Sequence, residues 1–292
     1  MKKIILGAAL ASSCLLAEVV TLLPYGGMID YGSDSSKSFK DKATIFGAHV
    51  TVGDLSYLIE ADYAHIDTKY KDSNIENLKQ DDMSLVYGGY YTNFMYRIGA
   101  HYISTNDDQL KDGIVAIASL GGYNYFDYDK LSYGLEGYYS HYDKGHNENY
   151  TEKSIAIIQV TPYLSYYKSI NVNWGNTLSL KMNYQLAGDY IQDTYSSYEI
   201  SDTIFYKSFF TTLQVYTGEA RTLVQDSGMT VFNTLDLMKN GYKVQLGYYI
   251  TKDALISASY GMNEYREFDQ TFSTITQDNI NSIALVSLSY SF

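Results

Sequence analysis

The chain has 292 residues, of which 18% are charged and 15% aromatic; it carries 33 tyrosines, two prolines and a net charge of −12. That length suits a single barrel-sized domain, and the aromatic content excludes a disordered chain. The acidity excludes a nucleic-acid binder, which works by neutralising phosphates with lysine and arginine; it suits a pore favouring cations, a surface holding divalent cations, or well-solvated loops.

Residues 1–17 have the form of an export signal. Lys2 and Lys3 supply the positive start, residues 4–10 a short apolar run, and Ala11, Ser12 and Ser13 the small residues that follow, with Ala17 at a cleavage point before Glu18. The run is too short to cross a bilayer as a helix; a buried first helix is the alternative. Cys14, the only cysteine, lies inside this segment, so residues 18–292 hold no disulfide and no thiolate metal site. The residues around Cys14 make a poor lipoprotein processing box. Loss of residues 1–17 removes two lysines and no acid, leaving the rest more acidic still.

From residue 18 onward no stretch of eighteen apolar residues occurs, so no helix is expected to span a membrane. What recurs is alternation with a period of two in runs of about ten residues, the weak signature of a transmembrane barrel strand. An upward strand is expected over 21–31. In 55–63, Leu55, Tyr57, Ile59, Ala61 and Tyr63 alternate with Ser56, Leu58, Glu60 and Asp62. Residues 154–167 read as a wall strand despite Pro162, which a ladder tolerates only at a bulge or near a rim. In 177–187, Leu178, Leu180, Met182, Tyr184 and Leu186 oppose Ser179, Lys181, Asn183, Gln185 and Ala187. In 241–251, Tyr242, Val244, Leu246, Tyr248 and Ile250 oppose Lys243, Gln245, Gly247, Tyr249 and Thr251.

Short connections at Gly53-Asp54, Thr92-Asn93, 127–130 and Lys252-Asp253 alternate with longer polar stretches at 33–42, 68–81, 105–112, 142–152, 191–202 and 267–278. Outer-membrane barrels show this alternation of periplasmic turns and outer loops. With 205–217 and 241–251 both read as running down, one upward strand is needed between them. It is expected near 219–225, with 226–240 as a seventh outer loop. The tally is about fourteen strands, or twelve if the region after Thr217 stays outside the wall. Closure is physically required, because in lipid every backbone N–H and C=O needs a partner. Tyr25, Tyr57, Tyr63, Tyr96, Tyr102, Tyr133, Tyr139, Tyr184 and Tyr290 are assigned to the lipid face, where aromatic rings with polar tips form girdles. Tyr138, Tyr163 and Tyr249 are assigned inward.

The final residues are the most specific. Leu288, Tyr290 and Phe292 continue one apolar face, with Ser287, Ser289 and Ser291 on the other. This pattern resembles the closing strand of Gram-negative outer-membrane barrels, and residues 18–292 as a whole resemble monomeric porins of about fourteen strands in size. The resemblance implies an all-β, closed antiparallel transmembrane barrel in the bacterial outer membrane. It also implies contact with outer-membrane lipid and lipopolysaccharide, recognition of Leu288, Tyr290 and Phe292 by the barrel assembly machinery, and passive passage of small hydrophilic solutes or ions. No motif narrows it to a single family.

Catalytic patterns are not found. The five histidines form no HExxH pair, no GxSxG elbow occurs, and Ser140 and His141, being adjacent, fall on opposite faces of a strand. No enzymatic activity, metal or cofactor is expected. By the alternation, Asp30, His49, Glu60, Asp62, Arg97, His101, Glu136, Lys181 and Lys243 point into the lumen as pore-lining candidates. A charge facing lipid near the midplane would cost about 2–4 kcal/mol for arginine or lysine, whereas in a wet lumen opposed acidic and basic groups tune which solutes pass. The competing possibility is a lumen closed by such side chains, in a structural or surface-interaction barrel acting through acidic loops. Around fourteen strands leaves room for a channel.

Overall fold

The computed structural model describes residues 19–32, 38–107, 110–146, 152–188, 194–231, 236–269 and 274–292. The expected export signal lies outside them. Fourteen strands close into one antiparallel barrel. In chain order they are β1 (Val19–Asp30), β2 (Lys40–Gly53), β3 (Tyr57–Tyr70), β4 (Leu78–Tyr91), β5 (Phe94–Thr105), β6 (Leu110–Phe126) and β7 (Asp129–His146). Then come β8 (Glu152–Asn171), β9 (Trp174–Ala187), β10 (Thr194–Tyr206) and β11 (Phe209–Gly218). A two-stranded hairpin, β12 (Val224–Gln225) and β13 (Thr230–Val231), stands apart from the wall, which resumes with β14 (Leu237–Tyr249), β15 (Ala254–Asp269) and β16 (Thr274–Ser291). β11 pairs directly with β14, and β1 with β16 closes the ring. No wall strand is left with a free edge, which is what the bilayer demands.

The expected alternation is realised as an inside-out protein. Along β9, Leu178, Leu180, Tyr184 and Leu186 are exposed while Asn183, Gln185 and Ala187 are buried. The exposed apolar side chains form the lipid-facing belt. At the short-turn end, aromatic neighbours meet as Tyr91–Phe94–Tyr96, Trp174–Tyr206, Phe209–Tyr248 and Tyr290–Phe292, a girdle of the kind that sits at the water–lipid boundary. The turn after β2 is set by Asp54, whose carboxylate accepts the Ser56 hydroxyl and N–H at 2.7 Å and the Tyr57 N–H at 3.1 Å. Those bonds hold the Asp54 carboxyl below its usual range.

Both prolines sit within wall strands and interrupt one ladder without slipping it. On the β8–β9 side the pairing runs Val160↔Tyr184, then Tyr163↔Lys181, passing over Pro162 in constant register. Pro24 is passed over in the same way between Leu22↔Tyr290 and Tyr25↔Ser287 on the closing seam. Each proline therefore keeps its place through pairing on its other flank, Leu135 for Pro162 and Ala48 for Pro24, and neither needs the bulge or rim position expected of Pro162.

Three expectations are corrected. The fourteenth strand is not 219–225: residues 205–217 contain a turn at Lys207-Ser208, so β10 runs down and β11 runs up. The turn carries no glycine, proline, asparagine or aspartate; Lys207 itself takes φ 53°, leaving Ser208 as the one weak composition cue. Secondly, Asp30 faces outward. It pairs with Lys42 at the loop end of β1 and shares parity with the exposed Leu22 and Met28. Thirdly, Tyr25 faces inward, its ring lying over the backbone of Gly47 on β2, where a Cβ would come within 2.5 Å of it. Both errors have one cause: on β1 the face turned to the lumen, with Leu23 and Ile29, is as apolar as the one turned to lipid.

Candidate functional site in the lumen

Between β11 and β14 the described residues 219–231 leave the wall and fold into the barrel. Their entry is fixed by an antiparallel bridge, with the Ala220 N–H donating to Met238 O at 3.0 Å and the Met238 N–H to Ala220 O at 2.9 Å. Residues 220–224 are buried without alternation, as a segment enclosed on every side must be. Its polar backbone then needs partners inside the lumen, and two glutamines supply them. Gln185 on β9 accepts the Arg221 N–H at 3.0 Å and donates to Arg221 O at 2.8 Å. Gln159 on β8 accepts the Val224 N–H at 3.1 Å and donates to Val224 O at 2.8 Å. Each side chain thus satisfies both peptide groups of one residue.

The tip of the hairpin is held by groups expected to line a pore. Ser227 donates its hydroxyl to Glu136 at 3.0 Å, and Glu136 also accepts the Tyr138 hydroxyl at 2.8 Å. His101 lies 3.0 Å through Nδ1 from Gly228 O; a carbonyl only accepts, so Nδ1 carries the proton. Gly228 sits at φ 95°, and a Cβ there would come within 2.3 Å of Ile117. Val224 and Val231 join Val86, Ile103, Val115, Ile117, Tyr138 and Ile157 in a dry cluster. The hydrophobic core of this molecule therefore lies in its lumen, between the hairpin and the walls of β4–β9. Lys40 on β2 makes a buried ion pair with Asp236 and fastens the far end of the segment.

The opposite side of the lumen is not filled. A cavity of about 570 Å³ lies between the hairpin and the strands β14–β16 and β1–β4. Along β1 it is lined from Leu23 near the short-turn end to Tyr31 at the loop end, about 26 Å of strand at ~3.3 Å per residue. His49, Glu60, Asp62 and Lys243 border it. Arg97 faces the lumen and forms an ion pair with Glu60 across β4, passing Gly88, which has no side chain to separate them. Lys181 faces inward opposite Glu199 on β10. Of the nine candidates, the structure thus places eight inside and Asp30 outside; His101 and Glu136 hold the hairpin, while His49, Glu60, Asp62 and Lys243 border the open cavity. Gln159, Gln185, Tyr25 and Asp82 belong to the lumen machinery and were not among the candidates. Leu288, Tyr290 and Phe292 are exposed on the lipid side at the short-turn end.

The sequence matches no protein-family model and no curated protein. Solved structures share the architecture. The toluene transporter TbuX of Ralstonia pickettii aligns over 95% of this chain and 90% of its own, with a TM-score of 0.54 and 8% identity. The Pseudomonas putida toluene transporter TodX aligns over 97% and 92%, at 0.52 and 9%, and the NanC porin over 92% and 98%, at 0.50 and 10%. At such identities the likeness is one of fold. The closed wall, apolar outer belt and aromatic girdle make this chain a bacterial outer-membrane β-barrel protein.

Proposed function

We propose that this barrel is a passive diffusion channel for small hydrophilic solutes or ions, with residues 219–231 as its constriction. The observation that carries the reading is the cavity beside the hairpin, lined over most of the height of β1 and bordered by charged groups. A barrel serving only as a wall has no need of an unfilled side, whereas a constricting segment fastened to one half of the lumen leaves a passage of defined width in the other. Charged residues at such a narrowing set the local field and bias which ions enter. Purified protein in a planar bilayer is expected to give stepwise conductance; a silent membrane would remove the proposal.

The second reading is a non-conducting barrel acting through its acidic outer loops. It is favoured by the dry cluster that seals the β4–β9 side. Loop deletions that abolish surface interaction without changing conductance would select it. In either case we propose that Leu288, Tyr290 and Phe292 serve recognition by the barrel assembly machinery; slower outer-membrane insertion of Phe292→Ala is the expected result.

A further inference from the structure

We propose that the lumen cavity selects small organic cations with an apolar body, such as aryl- or alkylammonium ions. The inference rests on the channel reading above and names its substrate class.

Two features of the cavity carry it. The first is its apolar lining. Leu23, Ile29, Ile45, Ile66, Ile283 and Leu285 converge on it from four different strands, and Met229 and Val231 face it from the hairpin. Away from the dry cluster under the hairpin, inward positions elsewhere in the barrel carry polar groups such as Ser165, Ser179, Thr203 and Thr212. A passage for hydrated salt ions gains nothing from such a wall, since apolar surface in contact with water is unfavourable by about 25 cal/mol per Å². A solute with a hydrocarbon body removes that surface from water. The volume, about 570 Å³, is within the ~300–1,000 Å³ range of small-molecule sites.

The second is the sign and pairing of the charges around it. Glu60, Asp62, Asp82 and Asp226 border the cavity against Lys243. Glu60 is taken by Arg97. The other three carboxylates are held by neutral donors: Asp62 by the Tyr25 hydroxyl at 3.0 Å, Asp82 by the Gln80 amide at 2.9 Å, and Asp226 by the Thr230 hydroxyl at 3.0 Å. The nearest basic groups to Asp62 and Asp82 are the rings of His49 at 3.5 Å and His101 at 3.7 Å. Neutral donors fix a carboxylate's position and leave its charge. Asp62 and Asp82, little exposed in the wall of the cleft, with the more exposed Asp226 beside them, focus a field that attracts cations, and an ammonium on a hydrocarbon frame answers both the field and the wall.

The test compares benzylammonium, methylammonium and benzoate in bilayers containing the full barrel, with equilibrium binding of benzylammonium to the detergent-purified protein alongside. The expected results are permeability to benzylammonium exceeding benzoate by about tenfold or more, as field focusing allows, and brief interruptions of potassium current by benzylammonium but not methylammonium. Asp62→Asn with Asp82→Asn should remove most of the charge preference, leaving only the contribution of Asp226. Ile66→Thr with Ile283→Thr should abolish the distinction between benzylammonium and methylammonium and keep the charge preference. Each variant is first shown to keep the compact, heat-modifiable gel migration of a folded barrel. A conducting protein that treats the three ions alike, with no benzylammonium binding, overturns this inference and leaves the channel reading standing. A silent bilayer with Asp62-dependent binding overturns the channel reading and leaves the site. Silence with no binding overturns both.

Discussion

Gln159 and Gln185 give the inward segment what a neighbouring strand gives a strand. Each offers one acceptor and one donor to a single residue of the segment, and the two are hydrogen-bonded to each other at 3.1 Å. Replacing both by leucine keeps the bulk and removes the partners of four buried backbone groups, each lost partner costing about 1–3 kcal/mol. The Gln159→Leu/Gln185→Leu barrel is expected to stay closed while residues 221–231 detach. Limited proteolysis of folded protein should cut within that segment in the variant and spare it in the parent; equal resistance would show that the dry cluster alone holds it. Arg97 offers a second test at this scale. Arg97→Ala strips the Glu60 carboxylate of its counter-charge, so the reversal potential in a potassium chloride gradient should move toward cation selectivity. An unchanged potential would place the Arg97–Glu60 pair outside the ion path.

At the level of elements, the sequence carried the wall well and the hairpin poorly, for separable reasons. Strands such as β9 and β14 have one polar face and one face in lipid, so alternation reports them directly. Residues 220–224 are buried on all sides; a segment with no solvent-facing side has no period to read. The turn at Lys207-Ser208 has only serine, a weak turn former, to mark it, and missing it forced an upward strand where none exists, although the total of fourteen survived. Because β11 and β14 are already paired, residues 221–235 can be replaced by a short glycine–serine turn without opening the wall. The expected outcome is a barrel of unchanged strand content whose single-channel conductance rises severalfold and whose charge selectivity weakens, since Asp226 leaves with the segment. Unchanged conductance would mean the open path does not run beside the hairpin.

For the molecule as a whole, the two halves of the lumen differ in kind, and that difference explains which site residues were legible. His49, Glu60, Asp62, Arg97 and Lys243 were readable because a charge excludes the lipid side. Tyr25 was misplaced because in the sector around β1 the lumen is itself apolar, so hydropathy cannot tell inside from outside; strand pairing decides it. The same logic gives a test of which medium surrounds the wall. Leu180 lies on the outer face of β9 between the girdle residue Trp174 and Tyr184, and Ser179, its neighbour, points inward and is hydrogen-bonded to Ser165 at 2.8 Å. Leu180→Arg puts a guanidinium among hydrocarbon tails, at a cost of about 2–4 kcal/mol near the midplane, while Ser179→Arg extends the same group into the lumen. Reversible folding into lipid vesicles, followed against urea, should therefore show Leu180→Arg destabilised by that amount and Ser179→Arg by much less. In a soluble sandwich with a dry centre the order would reverse: arginine would be tolerated at the exposed Leu180 and ruinous at the interior Ser179.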